Sequence, residues 1–111
     1  MAHAIKKADW EAYFDLVSRA LETKRAEIEV ESLDLGDQVE SDWLPLLGIS
    51  YDPEDDIFDV ALEGLDHIIY GPREVHAEGG LTDLNAVEIK DRDGTRHLIR
   101  LRDTLALPGP R

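Results

Sequence analysis

The pair Asp66-His67 is where the sequence first suggests chemistry, because a titratable dyad sits inside the otherwise apolar segment Leu65–Tyr70. An imidazole can act as a general base near neutral pH or ligate a metal ion. Adjacent residues of a strand point to opposite faces, however, so Asp66 cannot orient the His67 ring without a bend. The plainer expectation is a histidine hydrogen-bonded inside the fold, where it holds the local backbone. Tyr70 closes the same segment, and His76 lies just before the loop Glu78-Gly79-Gly80. Asp66, His67, Tyr70 and His76 are therefore the candidate ligand-binding residues, His76 only if the fold carries it to His67. His97 shares a face with Ile99 and Leu101 and reads as a core or core-edge residue, while His3 belongs to a frayed terminus.

Asp52, Glu54, Asp55 and Asp56 place four carboxylates within five residues. Hard cations want several oxygen ligands, but the alternate spacing, central Gly and distal Glu of a calcium loop are missing. Asp-Pro followed by further acids is ordinary hairpin-turn chemistry. No HExxH helix motif and no Gly-rich phosphate loop occur, and Ser18, Ser32, Ser41 and Ser50 lack the elbow context of a nucleophile. The sequence thus assigns no catalytic residues, no metal ligands and no cofactor.

Charge is the next constraint. The chain carries 25 Asp plus Glu against 12 Lys plus Arg, a formal net charge of −13. No Lys or Arg occurs between Ala26 and Pro72, and the bases return in Lys90, Arg92, Arg96, Arg100 and Arg102. A field of this sign disfavours phosphate backbones and anionic membranes, so neither nucleic acid nor membrane is an expected partner. A basic protein partner or a homodimer fits better. Glu27, Glu29 and Glu31 form one possible partner surface, and Trp43 with Leu44 forms an apolar one. The three glutamates have a competing use within the fold. If their strand neighbours the one carrying Arg96, Arg100 and Arg102, a cross-strand ion-pair stripe forms instead. The chain has no cysteine, no secretory leader and no apolar run approaching roughly 20 residues, which points to the cytoplasm.

These residues need elements to position them. Trp10, Tyr13, Phe14, Val17 and Leu21 recur at helical spacing, predicting a helix over about 9–22 with Asp9 as its cap. From Ala26 the period becomes two, with Ile28 and Val30 alternating against glutamates. Leu35-Gly36-Asp37 reads as a turn into a second, weaker strand that Pro45 interrupts or edges. Leu46–Tyr51 and Ile57–Leu62 read as a hairpin across the acidic turn, with Phe58, Val60 and Leu62 on one side. Gly64 and Gly71-Pro72 bound the segment containing His67, and Glu74–Ala77 is at most a brief strand. Leu84–Lys90 pairs with Thr95–Arg102 across Asp91-Arg92-Asp93-Gly94, whose Asp-Gly suits a turn needing positive φ. The expected fold is α+β and mainly β, an N-terminal helix packed on a small antiparallel barrel or strongly curved sheet. It occupies one domain, 1–107, with strands over about 26–102 and a loose tail at 108–111.

The strings Trp43-Leu-Pro-Leu-Leu-Gly-Ile-Ser-Tyr-Asp-Pro-Glu-Asp-Asp and Leu65-Asp66-His67-Ile68-Ile69 resemble a family of short bacterial proteins of unknown function. Gly71-Pro72-Arg73-Glu74-Val75, Asp93-Gly94-Thr95-Arg96 and the Trp10-to-Phe14 opening extend the likeness over nearly the whole chain. The resemblance implies a complete, bacterial domain and transfers no activity, cofactor or catalytic residue. The functional expectation is a non-enzymatic interaction or accessory module. Its alternative is a small-molecule or metal-binding protein, or an enzyme, with a site around His67.

Overall fold

The computed structural model describes residues 2–21, 24–32, 36–80 and 83–103. The chain opens with β1 (Ala2–Ile5), a 3-10 turn (Lys7–Asp9) and α1 (Trp10–Ala20). Seven strands follow: β2 (Lys24–Ser32), β3 (Gly36–Asp52), β4 (Ile57–Leu62), β5 (Leu65–Tyr70), β6 (Pro72–Glu78), β7 (Ala86–Asp91) and β8 (Arg96–Asp103). All described pairings are antiparallel, in the order β1-β6-β7-β8-β2-β3-β4-β5. Since β1 and β5 stand at the two ends, the sheet is strongly curved but not closed.

The curvature centres on β3. Its first part, to Pro45, pairs with β2, and from Leu46 onward it pairs with β4. Trp43 takes the left-handed backbone conformation (φ 48°), and a bulge lies between Leu46 and Gly48. The expected interruption at Pro45 is therefore a bend in one long strand that changes partner, as bulges permit. At the far end of β5, Gly71 (φ 61°) turns the chain directly into β6. That left-handed conformation favours glycine at the corner, where the Arg92 side chain also packs close.

Folding the sheet on itself encloses the core, and α1 covers its open side. Trp10, Phe14, Val17 and Leu21 are buried against Tyr51 and Phe58. The rings of Trp10 and Tyr51 meet edge-on with centroids 5.1 Å apart, as do those of Phe14 and Phe58 at 5.2 Å. Trp10 Nε1 donates to the Ile5 carbonyl at 2.9 Å, tying the helix start to β1. Ser18 makes the second attachment. Its hydroxyl donates to Ile49 O (2.9 Å) and accepts from Ile49 N (3.0 Å), satisfying the β3 edge where β2 has diverged. Ser18→Ala removes the partner of both the N–H and the C=O of Ile49, in part-buried bonds. It is expected to lower stability by about 1–3 kcal/mol in urea denaturation. A loss below a few tenths would mean that water reaches Ile49 freely.

Several expectations need correction. The helix is shorter than 9–22, and Asp9 makes no side-chain capping bond because the preceding 3-10 turn already places it in helical conformation. The segment before the helix forms β1, paired with β6 from Ala2↔Glu78 to Ile5↔Val75. With that partner, β6 is a full strand of 7 residues. The turn at Leu35 lies partly, and the tail at 108–111 wholly, outside the described residues. The helical face, the β3–β4 hairpin and the β7–β8 hairpin are as the periodicities predict.

Candidate functional site

Alternation along β5 decides what His67 and its neighbours can do. His67 pairs with Val60 and Ile69 with Phe58, so both belong to the inner face. Asp66 pairs with Ala61, Ile68 with Asp59 and Tyr70 with Ile57, on the outer face. Asp66 and Tyr70 (62% exposed) are thus separated from His67 by the thickness of the strand. His76 is elsewhere again: it stands opposite Glu88 and beside a shallow hollow lined by Glu78, Glu88, Arg96 and Leu98. The four candidate ligand-binding residues do not converge.

What His67 meets instead is His97. The curvature of the sheet brings β5 over β8, and His67 Nε2 lies 2.9 Å from His97 Nδ1. The opposite nitrogen of His97, Nε2, lies 2.9 Å from Asp91 Oδ2. A carboxylate only accepts, so His97 Nε2–H donates to it. Neutral His97 then presents Nδ1 as an acceptor, and His67 Nε2–H donates into it. Asp91 is fixed by its own turn, since Oδ1 accepts from Asp93 N (2.9 Å) and Thr95 N (3.1 Å). The result is a chain of carboxylate, imidazole and imidazole, with His97 only 7% exposed and His67 half-buried. It can hold and relay one proton between the rings, or offer two imidazole nitrogens to an ion.

The outer face carries a second feature. Asp59, between Ser50 of β3 and Ile68 of β5, has its Oδ1 shielded from solvent and without a hydrogen-bond partner. Burial, and then the charge of Asp66, hold its carboxyl above the usual carboxylate range. Sequence alternation places Asp59 on the polar side but carries no sign of this shielding.

The glutamates of β2 are paired across the sheet. β2 and β8 are neighbours, with Glu27↔Arg100 and Glu31↔Arg96 in register. Arg100 Nη1 bridges Glu27 (3.0 Å) and Glu29 (2.7 Å), and these bonds, Glu29's foremost, hold its guanidinium above the usual range. Arg96 pairs with Glu31 (3.1 Å) and with Glu88. Arg102 departs from the expected stripe: it stands opposite Arg25, and its guanidinium stacks 3.9 Å above the Trp43 ring. Trp43 and Leu44 are both half-buried.

In the acidic turn, Asp52 Oδ1 accepts from Glu54 N (2.9 Å), while Asp56 Oδ1 accepts from Tyr51 O–H (2.7 Å). That bond, with Lys7 and Arg73 nearby, holds the Asp56 carboxyl low. Burial, with the Asp56 bond and charge, pushes the Tyr51 hydroxyl up to about 12.

Fold and site together define a small β-rich protein, one helix on a curved antiparallel sheet, with an Asp–His–His chain at its interior margin. Among the described residues no helix is long and apolar enough to cross a membrane. The chain belongs to a family of unknown function, DUF5335, whose family model matches residues 1–110. It is 42% identical over 106 residues to an uncharacterized protein of the bacterium Aquifex aeolicus (strain VF5), covering 95% of this chain and 96% of that one. No solved structure matches it.

Proposed function

We propose that this protein is a non-enzymatic interaction module that receives a basic side chain of a protein partner on the outer face of β4 and β5. The observation that supports this is Asp59, whose shielded oxygen has no partner within the described fold. A buried polar atom left unsatisfied costs free energy and calls for an explanation. A Lys or Arg laid beside Asp59 and Asp66 lends the half-buried carboxyl a countercharge and relieves the repulsion between the two carboxylates. Exposed Tyr70 and half-buried Ile68 offer the aromatic and apolar surface such a side chain packs on. Glu27, Glu29 and Glu31 fit this role less well, because Arg96 and Arg100 already pair with them. The cysteine-free sequence accords with action in the cytoplasm.

Asp59→Asn tests this reading twice. A carboxyl held above its unfolded value stabilises the fold below about pH 3.9 and loses that contribution as pH rises through the folded value. The variant is therefore expected to be more stable than the parent at neutral pH, by on the order of 1 kcal/mol, and to lose the advantage on acidification. Binding should move the opposite way. With an Arg-containing apolar hexapeptide as the NMR titration probe, Asp59→Asn is expected to weaken association about tenfold. That is about 1.4 kcal/mol. Asp55→Asn, the same charge change in an exposed turn, should stay within twofold. Equal weakening by both variants would assign the binding to the general acidic field and sink the proposal.

A second reading, a small-molecule or metal-binding protein with its site at His67, is favoured by the convergence of His67 on His97.

A further inference from the structure

We infer that a basic, extended segment of a partner protein adds to the open edge of β5 as a further antiparallel strand of the sheet. The inference rests on the docking face proposed at Asp59 and names the kind of segment that occupies it. β5 (Leu65–Tyr70) ends the sheet, and among the described residues it pairs with β4 alone. One bond fixes the direction of its backbone groups. Gly71 N donates to Asp56 O at 3.0 Å, continuing the β4–β5 ladder one position beyond Ile57↔Tyr70. Along an antiparallel strand, successive residues direct their N–H and C=O to opposite sides. Ile69, His67 and Leu65 therefore bond to β4 as Gly71 does, whereas Tyr70, Ile68 and Asp66 present theirs to the open edge.

A row of outward N–H and C=O groups is a template for pairing with another chain. Edges that must stay alone are blunted by lysine, proline or a bulge. β5 has none of these, and its register with β4 runs unbroken from Leu65 to Tyr70. The same three residues place their side chains on the outer face. Asp66 and Tyr70 are exposed there, and Ile68 is half-buried opposite Asp59. Residues opposite one another on paired strands share a face, so every second residue of the incoming segment lies over this surface. Charge complementarity decides its chemistry. A Lys or Arg opposite Asp66 meets that carboxylate directly, and one opposite Ile68 reaches Asp66 diagonally and extends over Ile68 toward Asp59. A second copy of the chain supplies no such base. β5 itself contains no Lys or Arg, and each copy carries a formal net charge of −13.

The test is amide hydrogen exchange of the full chain with the Arg-containing apolar hexapeptide, acetylated and amidated at its ends. With about nine-tenths of the chain bound, the amide protons of Asp66, Ile68 and Tyr70 are expected to exchange about tenfold more slowly. Those of His67 and Ile69, already bonded to β4, should change by less than about twofold. A second peptide carries proline two residues before and two after the arginine, at the positions whose N–H would face β5. It is expected to bind about tenfold more weakly. Ile68→Pro removes an outward N–H that the β4 ladder does not use, a place where edge strands tolerate proline, and is expected to weaken the first peptide similarly. The exchange pattern and the proline peptide decide the matter without this variant if it does not fold. Peptide binding that leaves the three amides unprotected, or equal affinity for the two peptides, would overturn strand addition and leave the docking face at Asp59 standing. No binding of either peptide removes both. Protection that grows with protein concentration in the absence of peptide would give the edge to a second copy and likewise overturn the inference.

Discussion

Phe58→Ala is expected to remove about 3–5 kcal/mol of stability, a large part of the 5–15 kcal/mol that holds a typical domain together. Phe58 is fully buried at the second position of β4, where the helix and the folded sheet meet. Its ring lies 5.4 Å from that of Trp10, 5.2 Å from Phe14 and 5.0 Å from Tyr51. Truncation loses the transfer energy of the ring, leaves a cavity between two layers, and deletes three aromatic contacts at once. The helix is too short to persist alone, so its attachment depends on this cluster. Urea unfolding followed by far-ultraviolet circular dichroism measures the loss, and Phe58→Leu should recover roughly half of it by refilling the cavity. A cost below about 1 kcal/mol would mean that α1 is held mainly by Ser18 and the Trp10–Ile5 bond.

Much of this packing is written in periodicity. Trp10, Phe14, Val17 and Leu21 share a face at helical spacing, and Phe58, Val60 and Leu62 share one at a spacing of two, so both layers of the core are readable before any contact is known. The β2–β8 pairing is readable too, because charges of opposite sign alternate along both strands. Three features escape such reading, each for a physical reason. β1 has no alternation to announce it, since Ala2–Ile5 becomes a strand through the backbone of β6 rather than through a buried face of its own. The bend in β3 hides behind residues that normally end strands, yet here allow a partner change. Trp43 in a left-handed conformation has no sequence signature at all.

The site is half legible on the same grounds. Alternation sends both His67 and His97 inward and keeps Asp66 away from the His67 ring. Their meeting depends on how far the sheet curves, which brings together side chains 30 residues apart. Asp59 is the opposite case, a residue whose position on the outer face was plain and whose shielding was not. Asp59 stands between Ser50 and Ile68 of two other strands, a placement that only the register of the sheet reveals. The sequence also overextends the ion-pair stripe. Arg102 shares a face with Arg96 and Arg100, but the register sets it against Arg25, and it turns to the Trp43 ring.

Asp91→Ala is the second large loss expected, about 3 kcal/mol or more, and it discriminates how the Asp–His–His chain is held. The side chain is only 12% exposed and accepts three hydrogen bonds: two from the turn amides of Asp93 and Thr95, one from His97. Alanine leaves the part-buried His97 and Thr95 donors without their acceptor and unties the exposed Asp93 amide, loosening the turn that joins β7 to β8. Asp91→Asn should behave differently. Its carbonyl oxygen still accepts from the turn, while its amide faces His97 Nε2 as a donor. His97 must then carry its proton on Nδ1, and His67 must accept through Nε2. Both tautomers invert, no donor is lost, and the expected cost falls to about 1 kcal/mol. Urea denaturation gives the two stabilities, and ¹⁵N shifts of the imidazole nitrogens report the tautomers directly. Equal destabilisation by the two variants would show that the carboxylate charge holds the chain. A small effect of Asn with inverted tautomers would show that hydrogen-bond direction alone aligns the two rings.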